Sequence, residues 1–182
     1  MFDYLVIGMV LHEELTGYDI KKRIEQGIGH LYKVSHGQLY PALKKLTGKG
    51  YLTMNEQMQG KMLKKYYMAT EAGKAVFLDW LSAPFDPNTD GDNYLVKIFL
   101  LGELPKEIRT KRLQEYEFYT QQLLGQLQVV EKQLSTENLS DREYFELSAF
   151  YFSYQLLQNT THWIQYIKEE GPLAGFLQNE GD

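Results

Sequence analysis

The chain has 182 residues, enough for one ordinary domain or two small ones, and its 43% hydrophobic and 14% aromatic content excludes wholesale disorder. It contains no cysteine, which excludes a disulfide framework, thiolate zinc sites and cysteine nucleophiles and fits a reducing cytosol. The net charge of −5 is unevenly spread: residues 21–65 hold ten Lys/Arg against Glu25 and Glu56 alone, whereas residues 84–182 hold eight against sixteen acids.

Salt screens exposed charges beyond about 10 Å at ~0.1 M, so this local basic stretch says more about partners than the total does. The opening residues, MFDYLVIGMVLHEEL, lack a basic n-region and a small-residue cleavage site. They read as a buried first helix over 2–14, with Phe2, Leu5, Val6, Met9 and Val10 on one face, rather than as a signal peptide. No apolar run approaches the roughly 20 residues of a membrane span.

Thr16 starts a second helix, with Asp19 at capping-box spacing and Ile20, Ile24 and Ile28 continuing an apolar stripe until Gly27 and Gly29 end it. A third helix is expected from Ser35 to Thr47, with Ser35 and Gln38 at capping-box spacing and Leu39, Leu43 and Leu46 buried. Pro41 removes one hydrogen bond, so that helix either kinks or starts later. Two strand-like runs, Tyr51–Gln59 and Lys64–Ala69, flank a tip at Gly60–Lys61 and predict a hairpin. Thr70 caps a fourth helix through Leu81. The order is that of a helix-turn-helix with a β-hairpin wing.

Residues 84–94, PFDPNTDGDNY, read as a connector, followed by a helix over Tyr94–Leu101. A long helix follows over Lys106–Ser135. Its Leu113, Tyr116, Thr120, Leu123, Leu127, Val130 and Leu134 alternate by three and four, the spacing of a coiled-coil seam with one polar break. A last helix covers Asp141–Glu169. The fold class is therefore mainly α with a small β-hairpin: a winged helix at 1–83, a linker at 84–94, and a coiled-coil-like dimerisation domain with room for an effector at 95–182.

With its leucines inward, helix three turns Gly37, Tyr40, Pro41, Lys44, Lys45 and Gly48 outward. Ammonium groups suit phosphates, polar side chains such as Gln38 suit base edges, and small residues permit close approach to a groove. A solvated lysine face would look the same for the helix alone. The hairpin weighs against that, because Lys61, Lys64 and Lys65 gather at its tip a short distance along the chain, although lysines also serve to block edge pairing.

Thr16-Gly17-Tyr18-Asp19-Ile20, then Ser35-x-Gly37-Gln38-Leu39-Tyr40-Pro41-x-Leu43-x-x-Leu46, Gly50-Tyr51-Leu52, and Tyr66-Tyr67-Met68-Ala69-Thr70-Glu71-Ala72-Gly73 resemble the PadR family of bacterial transcriptional regulators. The resemblance covers residues 1–83 by motif and the remainder only by pattern. It departs at His30-Leu31-Tyr32-Lys33, where family members usually carry an aromatic just before the recognition helix. It implies a dimer on an inverted-repeat operator, usually a repressor relieved by an effector, which is a phenolic acid in the namesake branch. It places Ser35, Gln38, Tyr40, Lys44 and Lys45 at the recognition helix and Lys61 and Lys64 at the wing.

Other chemistry has little support. Asp86-x-Asn88-x-Asp90-Gly91 imitates a calcium loop, but its twelfth position is Lys97 rather than a bidentate Glu. The four histidines have no metal-ligand spacing, and no nucleophile elbow or phosphate-cradling glycine loop occurs. No enzyme activity, cofactor or metal is expected. The expected partners are double-stranded DNA, a second copy of the chain and a small aromatic effector, for which Phe145, Phe150, Tyr151, Phe152, Tyr154, Trp163 and Tyr166 offer rings. The competing readings are a winged helix used for protein contacts and a ligand-sequestering helical protein.

Overall fold

The computed structural model describes residues 1–30, 32–90 and 94–173. The chain forms two compact units that part between Arg109 and Thr110. The first contains α1 (Phe2–Met9), β1 (Leu15–Thr16), α2 (Gly17–Gly27), α3 (His36–Gly48), β2 (Leu52–Gln59), β3 (Met62–Ala69), α4 (Glu71–Ser82), a short α5 (Pro87–Asp90), α6 (Tyr94–Leu100) and a 3₁₀ turn over Leu101–Glu103. Leu5, Val6, Ile20, Ile24, Leu39, Leu43 and Phe77 are completely enclosed, each burial contributing roughly 1.5–3 kcal/mol.

Helix α1 is shorter than its periodicity predicts. It ends at Met9, and residues 11–14 lead into β1, which pairs antiparallel with β3 through Leu15–Tyr67 and Thr16–Tyr66. The backbone N–H of Ala69 also donates to the Val10 carbonyl at 2.9 Å. Two residues carry no readable period, so β1 is invisible in the sequence and decided by the vacant edge of β3.

The caps form as the spacing predicts. Thr16 Oγ1 accepts from the Asp19 N–H at 3.2 Å, Ser35 Oγ from that of Gln38 at 3.2 Å, and Thr70 Oγ1 from that of Gly73 at 3.0 Å. Such caps contribute about 1 kcal/mol each. Helix α3 runs through Pro41, forgoing one N–H on its outward side. In the hairpin, Gln59 pairs with Met62 across a two-residue turn whose Gly60 has φ +63°, a conformation glycine adopts without strain.

The stretch expected to be a linker belongs to the first unit. Its Asp90 is buried and receives the Lys97 ammonium at 2.8 Å, while Lys97 also lies 5.4 Å from the centre of the Trp80 ring. Thus the residue that spoils the calcium pattern is the one that neutralises its carboxylate; Gly91 of that pattern lies outside the described residues. Val96, Leu100, Leu101 and Leu104 are buried, and Gly8 of α1 leaves the space Leu100 fills.

The second unit is formed by α8 (Asp141–Lys168) and by α7 (Lys106–Glu131), whose first turn lies in the first unit. Ser140 caps α8 in a full capping box with Glu143. Leu113, Tyr116, Thr120, Thr161 and Ile164 are buried, and Lys168 Nζ reaches Glu117 Oε2 at 2.5 Å. The hydroxyls of Thr120 and Thr161 donate to the Glu117 and Leu157 carbonyls at 2.9 Å each, so the polar break in the seam is satisfied within its own helix. Helix α7 stops at Glu131 rather than Ser135, which leaves Leu134 beyond its end. The predicted seam is buried only at its start: Leu123 and Leu127 are half-buried and Val130 is exposed. No helix among the described residues is long and apolar enough to cross a membrane.

Candidate nucleic-acid interface

Helix α3 turns Leu39, Ala42, Leu43 and Leu46 into the core, which leaves Gly37, Tyr40, Pro41, Lys44 and Gly48 on the exposed face. Its two flanks differ. On one, Lys45 Nζ pairs with Asp3 Oδ2 of α1 at 2.5 Å, and the Gln38 side chain bonds the Tyr32 phenol, whose pKa is raised by burial and lowered in part by that bond. Those two predicted contacts are therefore engaged within the fold. Ser35 is occupied as the cap. On the other flank Tyr40 is half-exposed and lies against Gly17, where an added Cβ would stand 3.0 Å from its ring. Lys44 has neither ion pair nor hydrogen bond among the described residues.

The hairpin register separates the wing lysines. Lys65 pairs across the ribbon with Glu56 and Lys64 with Gln57, and successive strand residues face opposite sides. Lys65 sits 3.6 Å from Glu56 Oε1, a loose exposed ion pair worth little. The amides of Asn55 and Gln57 donate to the Glu14 carboxylate at 2.7 and 3.0 Å, bracing the base of the arm against the segment before β1. Lys61 occupies the turn itself and is exposed.

Between α2, α3 and β3 lies an open cleft of about 610 Å³ lined by Gly17, Tyr18, Tyr40, Leu63, Lys65 and Tyr67 among others. The Tyr67 phenol is pushed up by burial and secondarily by Tyr40. Tyr18, exposed in the first turn of α2, belongs to this surface. It was not among the predicted contact residues, although it stands inside the Thr16–Ile20 motif. The arrangement presents ammonium groups and phenol hydroxyls around a helix face made of small residues, which suits a polyanionic groove.

Phe150 stacks with Tyr154 at 6.3 Å and meets Tyr151 edge-on at 5.5 Å, whereas Phe145 and Phe152 are largely exposed. A cleft of about 450 Å³ beside the α7–α8 loop includes Leu134, Leu147 and Phe150, but Glu137, Glu143 and Glu146 line it too. Three carboxylates repel an anionic ligand.

The transcriptional regulator PadR-like family model matches residues 6–79. The negative transcriptional regulator PadR of Bacillus subtilis is 36% identical over 107 residues, 57% of this chain and 58% of that protein, so the chain spans somewhat more than half the length of that relative. Among solved structures, Bacillus subtilis PadR in complex with operator DNA is 26% identical over 93% of this chain and 98% of that one, with a TM-score of 0.47. Bacillus subtilis PadR in complex with p-coumaric acid is 25% identical over 93% and 97%, with a TM-score of 0.42. The motifs on α2, α3 and the hairpin lie within residues 6–79, the stretch that matches the transcriptional regulator PadR-like family model.

Proposed function

We propose that the protein is a homodimeric, cytoplasmic, sequence-specific DNA-binding regulator that acts as a repressor on an inverted-repeat operator. The observation that carries this reading is the outward face of α3, where Lys44 and Tyr40 flank the small residues Gly37, Pro41 and Gly48, beside a lysine-bearing hairpin. Such a helix fits a major groove, with Lys44, Lys61, Lys64 and Lys65 on phosphates and Tyr40 and Tyr18 at the groove wall. Gln38 and Lys45 contribute once released from Tyr32 and Asp3, and Ser35 chiefly sets the start of the helix. Residues 1–83 are the DNA-binding head, residues 84–109 complete the same compact unit, and the second unit carries the dimerisation region. Repression is supported by the relative named as a negative regulator.

A single head reads too few base pairs for strong specificity, so a twofold dimer reading two half-sites fits the task. Leu113 and Tyr116 are already buried within the subunit, so the dimer face moves to α8. There Phe145, Ala149, Phe152 and Leu156 are exposed at spacings of four, three and four, a continuous apolar stripe that a second copy would cover. A phenolic or other aromatic effector would relieve repression by changing the spacing of the two heads, provided it binds one spacing better than the other.

The test is fluorescence anisotropy on DNA from upstream of the protein's own gene, with a scrambled control, a salt titration and a Lys44→Ala/Lys64→Ala variant. Sequence-dependent binding with a steep salt slope, flattened by about 2 in the variant, is expected. Equal, weak binding to both fragments, repeated on sequences drawn from a random library, would refute the reading.

A further inference from the structure

The hairpin carries an apolar tip that its lysines do not explain. Met58, Met62 and Leu63 are 67%, 64% and 57% exposed, at the end of an arm that β1 supports only at Tyr66 and Tyr67. From Tyr66 to Met62 the ribbon extends by roughly 13 Å at about 3.3 Å per residue, with no third strand beside it. On an isolated ribbon such side chains stay largely in water and stabilise it little beyond their cross-strand pairing, and exposed strand ends usually carry polar residues. Met58 and Leu63 are cross-strand partners on one face, whereas Met62 pairs with Gln59 on the other. The tip is therefore apolar on both sides.

Two-sided apolarity separates the candidate occupants. A protein docking on the arm would cover one face of the ribbon. A wedge entering a narrow groove touches both walls, and methionine adapts its shape to an irregular gap. Charge points the same way: residues 52–69 hold Lys61, Lys64 and Lys65 against Glu56 alone, so two copies of this tip repel each other while phosphates on either side of a groove attract it. The minor groove is about 6 Å wide and 7.5 Å deep, room for the turn at Gly60–Lys61 and the side chains next to it rather than for the flat ribbon.

We propose that the wing tip is an apolar wedge: Met58, Met62 and Leu63 enter the DNA minor groove, partly unstack a base step and bend the duplex, while Lys61, Lys64 and Lys65 hold the flanking phosphates. This rests on the DNA-binding reading above and adds a mode of recognition to it. Base steps that unstack easily, such as TA and CA, would be preferred beneath the wing without any hydrogen bond to them.

The experiment uses duplexes that the full-length protein selects from a random library, carrying a dye at each end. Wild-type protein should shorten the end-to-end distance, corresponding to a bend of roughly 20–90°. Met58→Ser/Met62→Ser/Leu63→Ser should largely lose the bend and bind about tenfold to a hundredfold more weakly, with an unchanged salt slope because every cation remains. All three side chains are exposed, and an unchanged melting temperature verifies the fold of the variant. A wild-type complex that leaves the DNA straight, or a bend that survives in the triple variant, overturns the wedge while DNA binding stands. A triple variant that alters the oligomeric state instead makes the tip a protein contact and equally overturns it. Failure to select any sequence removes the DNA-binding reading, and the wedge with it.

Discussion

Replacing Gly73 by alanine should destabilise the first unit by about 2–3 kcal/mol. Gly73 lies in the first turn of α4, its N–H on the Thr70 hydroxyl. A Cβ there would stand 2.9 Å from the Tyr51 carbonyl carbon, 3.2 Å from its Cα and closer still to its oxygen. Every one of these neighbours is backbone, so no rotamer change relieves the clash, and α4 must move off the start of β2. That movement strains the bond from the Thr70 N–H to the same Tyr51 oxygen, 3.0 Å, and loosens Phe77 and Leu81, which are fully enclosed. Overpacking costs about 1–3 kcal/mol, a weakened hydrogen bond about 1 kcal/mol, and alanine's helix propensity returns up to about 1 kcal/mol. The net corresponds to a melting temperature lower by roughly 10–20 °C. Gly125→Ala is the counterpart. Gly125 lies inside α7 with nothing within 4 Å of the added methyl, so that variant should gain up to about 1 kcal/mol. Calorimetry on both variants tests the argument. A Gly73→Ala protein melting within about 2 °C of wild type would show that the close approach of α4 to Tyr51 does not constrain the fold.

Gly17→Ala should leave stability nearly unchanged, because the Tyr40 ring it crowds is half-exposed and free to swing away; operator affinity should nevertheless fall about tenfold in an anisotropy titration as Tyr40 leaves its place. Phe152→Glu, on the exposed stripe of α8, should convert dimer to monomer in sedimentation without unfolding the chain. The Ser140 hydroxyl, followed by its backbone N–H, holds the Glu143 carboxyl below its ordinary range. That contribution to α8 is complete above the usual Glu value of about 4.3 and is lost as pH falls through the lower folded value. Ser140→Ala should flatten the acid limb of a helicity titration. The Tyr67 phenol is raised by burial and then by Tyr40, so its contribution is complete below about pH 10 and is lost as pH climbs through the folded value. Tyr67→Phe should remove that part of the alkaline loss in thermal melts.

The element order of the head is local information and was legible residue by residue. Thr16, Ser35 and Thr70 announce their helices because a hydroxyl beside an N–H three residues on is satisfied without any distant partner. The outward face of α3 could be read from the leucine spacing, which dictates where Tyr40, Lys44 and Lys45 emerge. What those side chains then meet could not. Lys45 finds Asp3, Gln38 finds Tyr32, and Lys64 and Lys65 part to opposite faces once the register is set. Tyr18 joins the interface only because α2 and the hairpin converge on one cleft. Strand β1 exists because β3 offered it an edge, and the 84–94 stretch joined the first unit because Lys97 closed onto Asp90. The seven-position seam is the plainest case. Periodicity states that an apolar face must be covered but not by what, and in the fold Leu113 and Tyr116 are buried while Phe145 and Phe152 of α8 stay exposed. Caps, faces and breaks are properties of a few neighbouring residues, whereas partners across the chain depend on the sum of many weak contacts that only the folded chain brings together.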